Sequence, residues 1–334
     1  MQVLVPSMQR ILVTGASGFV GHHLLAALHE AWPDARLHAT VSRQGTTGRG
    51  GVASPRTTQW HSLDVRDASQ VNELINRLKP QAIIHLAAQS HVPTSFEHTR
   101  YTWDVNLQGT LNILDSIQRE CPDALLLNVG SSDMYGAAFR HGHKVSEDTA
   151  FEPLNPYAAS KASADLAVGQ TAASQSLRAV RARPFNHTGP GQRDAFVLAS
   201  FATQIARIEQ GKQSPVLETG DLTAERDFID VQDVCQAYIE LLSLPEEGQR
   251  GQAYNIASGR SMAIGELLQK LLSLSSVAIE HRLDPARQRP SDIPVVQAST
   301  EAIHAATRWQ PSISCETMLS RLLDDCRQRQ RQTP

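Results

Sequence analysis

Tyr157 and Lys161 stand four residues apart in a stretch that reads as helix, which puts a phenol and an ammonium on one face. A neighbouring ammonium favours phenolate, lowering a tyrosine's pKa toward the working pH, where the phenol can pass a proton to or from a hydroxyl. Taken alone, the pair also reads as a surface contact. Ser131 adds to it, because it follows what reads as the fourth parallel strand, and sites in such sheets gather beyond the carboxyl ends of strands. A hydroxyl there can orient and polarise a carbonyl. Ser132 and Asp133 come next, and the same run is compatible with an ordinary polar turn.

A second group of residues fits a phosphate. Gly15-Ala16-Ser17-Gly18-Phe19-Val20-Gly21 lies between a strand and a helix. Glycine lets the chain turn sharply and approach a pyrophosphate, and a helix start offers free N–H groups. A tight turn with close helix packing would use the same glycines. About 20 residues on, an NAD site of this kind carries Asp or Glu for the ribose 2′-hydroxyl; here Val41-Ser42-Arg43-Gln44 occupies that place. Ser42 and Arg43 suit a 2′-phosphate, which points to NADP, with NAD as the alternative and a plain loop cation as the other reading of Arg43. Asp64 after the strand-like run 59–63 can accept from an adenine amino group or simply be solvated.

The elements that must position these groups follow from the hydrophobic pattern. Strands are expected at 11–13, 37–41, 82–86, 124–129 and 178–183, separated by helices at 19–30, 67–78, 105–119 and 157–174. Continuous apolar strands alternating with helices predict a doubly wound parallel α/β sheet of the Rossmann type. After Pro184 the chain turns rich in Gly, Pro and Asn, then offers helix 196–210. Segments 224–257, with helix 231–244 and strand 254–256, are expected to return to the first domain. We therefore expect a dinucleotide-binding domain of 1–184 plus 224–257, and a smaller discontinuous α/β lobe of 185–223 and 258–330. That lobe would hold helix 264–274, strand 278–281 and a polar helix at 315–329. Loop 45–55, with four glycines, reads as mobile.

Composition narrows the functional classes. The chain has 334 residues, 41% hydrophobic and 19% charged, which fits a folded body and not a disordered one. A net charge of −3 supplies no basic stripe for nucleic acid or an anionic membrane. No run nears the roughly 20 apolar residues that span a bilayer, and residues 1–10 lack the order of a signal peptide, so a cytoplasmic protein is expected. Cys121, Cys235, Cys315 and Cys326 are scattered, which suits free thiols, and no Cys/His spacing suggests a metal.

Gly15-x-x-Gly18-x-x-Gly21, Leu86-Ala87-Ala88, Asn106, Ser131 four before Tyr135-Gly136, and Asn155-Pro156-Tyr157-x-x-x-Lys161 together resemble the extended short-chain dehydrogenase/reductases over nearly the whole chain. The resemblance implies Tyr157 as acid/base, Lys161 as its partner and ribose ligand, and Ser131 as hydrogen-bond partner of the reacting oxygen, with Ser132 and Asp133 beside it. For the cofactor it implies Gly15, Ser17, Gly18, Phe19, Val20, Gly21, Ser42, Arg43, Asp64, Val65, Leu86, Ala87, Ala88, Asn106, Pro184, Asn186 and His187, in addition to Tyr157 and Lys161. It also implies a homodimer formed through a helix bundle.

Arg183-Pro184-Phe185-Asn186-His187-Thr188-Gly189-Pro190-Gly191-Gln192, with Phe196-Val197 after it, is similar to the substrate segment of enzymes acting on GDP-mannose derivatives. That likeness implies a GDP-linked deoxy-sugar held by Gln89, Ser131, Asn186, Phe196, Val197, Arg226 and Arg289, the arginines suiting a diphosphate. The implied reaction reduces the C4 keto group of a GDP-4-keto-6-deoxy sugar to GDP-D-rhamnose. A GDP-mannose 4,6-dehydratase stays open, although dehydratases carry Glu where this chain has the shorter Asp133. A C4 reductase giving GDP-6-deoxy-D-talose would keep every motif. From another class, a nucleotide-sugar or NADP-binding sensor remains, against which stand the intact Ser131, Tyr157 and Lys161.

Overall fold

The structure, a computed structural model, describes residues 8–42, 55–284 and 293–332. Arg43, Arg289 and loop 45–55 apart from Pro55 lie outside these residues, and with them the expectations placed there. Six strands come first: β1 (Arg10–Thr14), β2 (Arg36–Val41), β3 (Gln59–Ser62), β4 (Ala82–His85), β5 (Leu125–Val129) and β6 (Ala179–Pro184). Seven follow: β7 (Asn186–Thr188), β8 (Val216–Thr219), β9 (Glu225–Arg226), β10 (Phe228–Asp230), β11 (Arg250–Ile256), β12 (Met262–Ala263) and β13 (Glu280–Leu283). The main sheet runs β3-β2-β1-β4-β5-β6-β11, with every pair parallel. Since the run 59–62 is a full strand, the one before Ser131 is the fifth in chain order and not the fourth.

Alternate residues of each strand feed two cores, the expected result for parallel strands covered on both sides. Ile11, Val13, Ile84, Leu125 and Leu127 pack with helices Phe19–Ala31 and Val231–Leu242. Leu12, Ile83 and Leu126 pack with helices Ala68–Leu78, Gly109–Glu120 and Pro156–Gln175. A third core joins helices Val197–Glu209, Ile264–Ser273 and Cys315–Gln332. Beside it β8 pairs with β13 in parallel and β9 with β12 antiparallel.

The pattern missed several elements. Helices Val92–Glu97 and Glu301–Ala306 are too short to show a period. The helix expected at 105–119 begins earlier, as Thr99–Trp103 runs through a π-helical segment, Asp104–Gln108, into Gly109–Glu120. Strand 254–256 extends to Arg250–Ile256 at the sheet edge, and strand 278–281 lies at Glu280–Leu283. Among the described residues, no helix is long and apolar enough to cross a membrane.

The sheet order reverses between β1 and β4, and the glycine turn sits there. Gly15 adopts φ +68°, and a Cβ on it would come within 2.6 Å of the Ala87 backbone. Gly21 faces the Ala16 carbonyl, which a Cβ would meet at 2.3 Å. Replacing Gly21 with Ala therefore forces helix Phe19–Ala31 off the turn. We expect a loss of about 1–3 kcal/mol in urea unfolding; an unchanged midpoint would show that the turn relaxes without cost.

Candidate active site

Asn155 and Pro156 decide where the phenol stands. The Asn155 side chain accepts from Ala158 N–H at 2.8 Å and caps the helix, and Pro156 fills its first position. Tyr157 thus sits at the helix mouth and Lys161 one turn deeper, both buried. Across from them Ser131 leaves β5 and caps the 3₁₀ segment Ser132–His141, its Oγ accepting from Asp133 N–H at 3.2 Å. That leaves the Ser131 hydroxyl proton for the Tyr157 oxygen, on which the serine acts to lower the phenol's pKa. Serine and tyrosine, 26 residues apart in the chain, meet at the carboxyl edge of the sheet.

The electrostatics correct one expectation. Tyr157 is not lowered: burial first and the Asp133 carboxylate second push it well above its ordinary value, while the Ser131 hydrogen bond alone pulls down. Lys161 is pushed down to about 8 by burial, with Asp165 opposing. Both shifts have one origin, since a low-dielectric cleft disfavours phenolate and ammonium alike. Asp133 is raised by burial, with Arg226 opposing, and Arg226 is lowered by burial, with Asp133 opposing. Each thus feels the other's charge, and Arg226 donates to its neighbour's carbonyl at 2.7 Å.

The cradle fits a dinucleotide. Helix Phe19–Ala31 has no side-chain cap at Gly18, which leaves its first N–H groups open to an anion. Gly15 N–H donates to Thr40 Oγ1 at 3.1 Å, tying the turn to the end of β2, where Ser42 is exposed. Ser17, Phe19 and Val20 are half-buried along the turn, as are Leu86, Ala87 and Ala88 after β4. Phe19 stacks on His187 at 6.1 Å between ring centres, and His187 Nδ1 donates to Phe185 O at 2.8 Å. Pro184 is buried at the end of β6, and Asn186 opens β7, which pairs with β10.

Other expected residues are engaged within the protein. Asp64 accepts a guanidinium fork from Arg66, the shortest contact being 2.6 Å. Val65 is buried, and its carbonyl accepts from Asn112 at 2.8 Å. Gln89 spends its carboxamide on His91 and Thr102, while its N–H donates to Asn106 Oδ1 at 2.8 Å. Asn106 Nδ2 reaches Gln89 O at 3.1 Å and Ser160 Oγ at 2.9 Å. These residues brace the loop after β4 against the Tyr157 helix. Phe196 caps helix Val197–Glu209, and Val197 is 40% exposed beside it. Near them opens a polar cleft lined by Asp194, Ser200, Gln204, Arg207, Glu218 and Arg282. Nothing in the sequence pattern singled these out, because they come from helix Val197–Glu209, the loop before it, β8 and β13.

His85 was also missed, though it directly precedes Leu86-Ala87-Ala88. Thr14 Oγ1 lies 2.7 Å from its Nδ1 and accepts from Ala87 N–H at 3.3 Å, so the Thr14 proton goes to Nδ1 and the ring keeps its own on Nε2. That Nε2 is buried without a protein partner, and so is the side chain of Asn128, its register partner on β5. Burial, with the Lys161 charge second, lowers His85 from 6.5 to about 3. The fold thus binds the neutral ring. This contribution is complete above pH 6.5 and is lost as pH falls toward 3. From pH 7 to pH 5 it should remove about 2 kcal/mol of stability, and His85→Gln should flatten the slope of stability against pH. Equal slopes would count against this account.

Comparison with known proteins places these features in context. Residues 12–322 match the family model described as GDP-mannose 4,6 dehydratase. The chain is 38% identical over 327 residues to GDP-6-deoxy-D-mannose reductase of Pseudomonas aeruginosa, covering 97% of this chain and 99% of that protein. A GDP-mannose 4,6 dehydratase of Drosophila melanogaster is 26% identical over 343 positions, 93% of this chain and 84% of that one. The solved structure of RMD from Pseudomonas aeruginosa complexed with NADPH superposes with TM-score 0.82 at 36% identity, over 96% of this chain and 100% of that one. UDP-glucose 4-epimerase of Thermus thermophilus, in complex with NAD, gives TM-score 0.82 at 26% identity, over 96% and 99%.

Proposed function

The chain belongs to the GDP-mannose 4,6 dehydratase family, within the extended short-chain dehydrogenase/reductases, and from that premise we propose that it reduces the C4 keto group of GDP-4-dehydro-6-deoxy-D-mannose to give GDP-D-rhamnose. Asp133 carries this reading. A dehydratase must also remove a C5 proton and expel the C6 hydroxyl, which asks for a second acid/base group beside the serine. Here that carboxyl is an aspartate, one methylene shorter than the glutamate that dehydratases carry, raised by burial with the Arg226 charge opposing. Reduction needs no such group, and the relative with 38% identity is named for a reductase.

Reduced nicotinamide dinucleotide, when bound, supplies the hydride. Gly15, Ser17, Gly18 and the first turn of helix Phe19–Ala31 would hold its pyrophosphate, and Leu86, Ala87, Ala88, Pro184, Asn186 and His187 would line the rest of its site. NADP is the cofactor we favour, from Ser42 and Arg43 together with the NADPH bound in the similar structure. Ser131 orients the keto oxygen by hydrogen bonding. Tyr157, kept protonated by its surroundings, donates its proton to the alkoxide as that charge forms. The Lys161 ammonium then balances the phenolate left behind. Asn186 and Arg226 hold the diphosphate. The polar cleft beyond Phe196 and Val197 takes the nucleotide end, where Asp194 and Glu218 suit the N–H donors of guanine.

We also infer a homodimer. Phe96, Tyr101 and Leu166 are 61%, 44% and 60% exposed on helices that pack side by side, an apolar face suited to a bundle with a second copy. Leu166→Arg should shift the protein to monomer in sedimentation, and an unshifted dimer would place the interface elsewhere.

Purified protein should consume NADPH with GDP-4-dehydro-6-deoxy-D-mannose and yield GDP-D-rhamnose by NMR. Tyr157→Phe should lose at least about a hundredfold in kcat while binding NADPH almost unchanged. Formation of a 4-keto product from GDP-mannose, with no net loss of cofactor, would overturn the reductase reading in favour of the dehydratase.

A further inference from the structure

The face of helix Pro156–Gln175 that carries Tyr157 and Lys161 continues, at the same four-residue spacing, through Asp165 and Gly169. Asp165 is fully buried, and both its oxygens are taken. Arg183 on β6 forks onto it, with Nε donating to Oδ1 at 3.2 Å and Nη2 to Oδ2 at 2.9 Å. Arg181, two residues earlier on the same strand, donates from Nη1 to Oδ2 at 2.7 Å. Gly169 leaves the room this needs, because a Cβ there would lie 2.9 Å from Arg181 Nη1. The arginines are themselves fixed. Arg181 Nε donates to Gly251 O at 2.7 Å. Arg183 Nη1 donates to Tyr135 Oη at 2.9 Å and Glu147 O at 2.8 Å, and its guanidinium lies 4.7 Å from the Phe151 ring centre. Burying such a cluster is costly, and apolar residues of equal volume often stabilise a fold as well or better. Its place, one turn beyond the lysine of the reaction site, is therefore the feature to explain.

We propose that Asp165, clamped between Arg181 and Arg183, is a positioning residue that holds Lys161 in its charged form inside the cleft. The proposal rests on the role given to Lys161 above. From its own helix Asp165 favours the ammonium, whereas burial disfavours it; His85 on β4, which the Lys161 charge pushes down, faces it as the neutral ring. From β6 the two arginine cations meet Asp165 itself, and Glu147 lies beside Arg183 with its own carboxyl raised by burial. Asp133, on the far side, acts on Tyr157. A lysine buried this deeply without a counter-charge would lose its proton at neutral pH or below. The clamp fixes the carboxylate in place one turn beyond Lys161, with both its oxygens taken by the two arginines.

Charge and order can be separated, because two substitutions must act with opposite sign. Asp165→Asn removes the anion, so Lys161 should titrate below 8. Arg181→Gln removes one of the two cations that offset the anion, so Lys161 should titrate above 8. Simple loosening of the helix would move both variants the same way. The measurement is an NMR titration of ¹³Cε-labelled lysine, with the Lys161 signal identified by its loss in Lys161→Met. Alongside it, the alkaline limb of kcat should follow the same shifts, Asp165→Asn losing about tenfold at pH 8.5 with less change in KM. Asp165→Glu should return the midpoint toward 8. Unmoved midpoints, or shifts in a common direction, overturn the proposal. Opposite NMR shifts with an unmoved rate limb uphold the clamp and instead overturn the part given to Lys161 in turnover. Should Asp165→Asn fail to fold, leaving two buried arginines without their anion, Arg181→Gln decides alone: an upward midpoint supports the clamp, and a fixed or lowered one rejects it.

Discussion

Backbone contact between Gly15 and Ala87 is the constraint on which the site depends. It brings the turn after β1 against the end of β4, where the sheet order reverses and a crevice must open. A side chain at position 15 would push the two apart. With them in contact, the Thr14 hydroxyl takes the Ala87 N–H and reaches His85, so the cradle and the floor of the cleft form one rigid piece. The next strand, β5, then delivers Ser131 to the same edge, and Asn106 ties the loop after β4 to the helix that carries Tyr157. Positioning is thus inherited from strand order and one close approach, with few long side-chain reaches.

Burial gives that edge its chemistry. The phenol is driven up and the ammonium down, because burial disfavours the charged form of each. Charge develops cheaply there only in pairs, as when an alkoxide takes the phenol's proton while a cation stands near. The carboxylates around the site divide by what they face. Asp133 feels the Arg226 charge, while Asp165 has both oxygens taken by two arginines. This partition separates a site suited to one proton transfer from one able to abstract a second proton.

Much of this was legible in the residues. Runs such as Ile11-Leu12-Val13 and Ala82-Ile83-Ile84 announced a parallel sheet because such strands are apolar on both faces, and Asn155-Pro156 announced a helix start because a cap and a fixed φ are local properties. The glycine turn was readable for the same reason, whereas the Ser131, Tyr157 and Lys161 set was assembled through the family resemblance, since Ser131 stands 26 residues from Tyr157. What spacing could not give was the sign of the Tyr157 shift, which depends on burial and on Asp133, a residue 24 positions away. Nor could it show that Gln89 and Asp64 are engaged by neighbours, or that Asp194, Glu218 and Arg282 share a cleft. Asp165 was within reach, since it extends the same four-residue row, but its arginines sit on another element and appear only once β6 is laid beside the helix.

The π-helical segment Asp104–Gln108 holds one residue more than an α-turn would. Thr102 and Asn106 thereby aim at the Gln89 loop, while Asn112, further on, turns to the Val65 carbonyl. A chain one residue shorter in this stretch would close the wide turn into regular helix and forfeit the contacts arranged around it. Residue count here is thus under as much restraint as residue identity, and insertions or deletions, more than substitutions, are the changes this helix is least able to absorb.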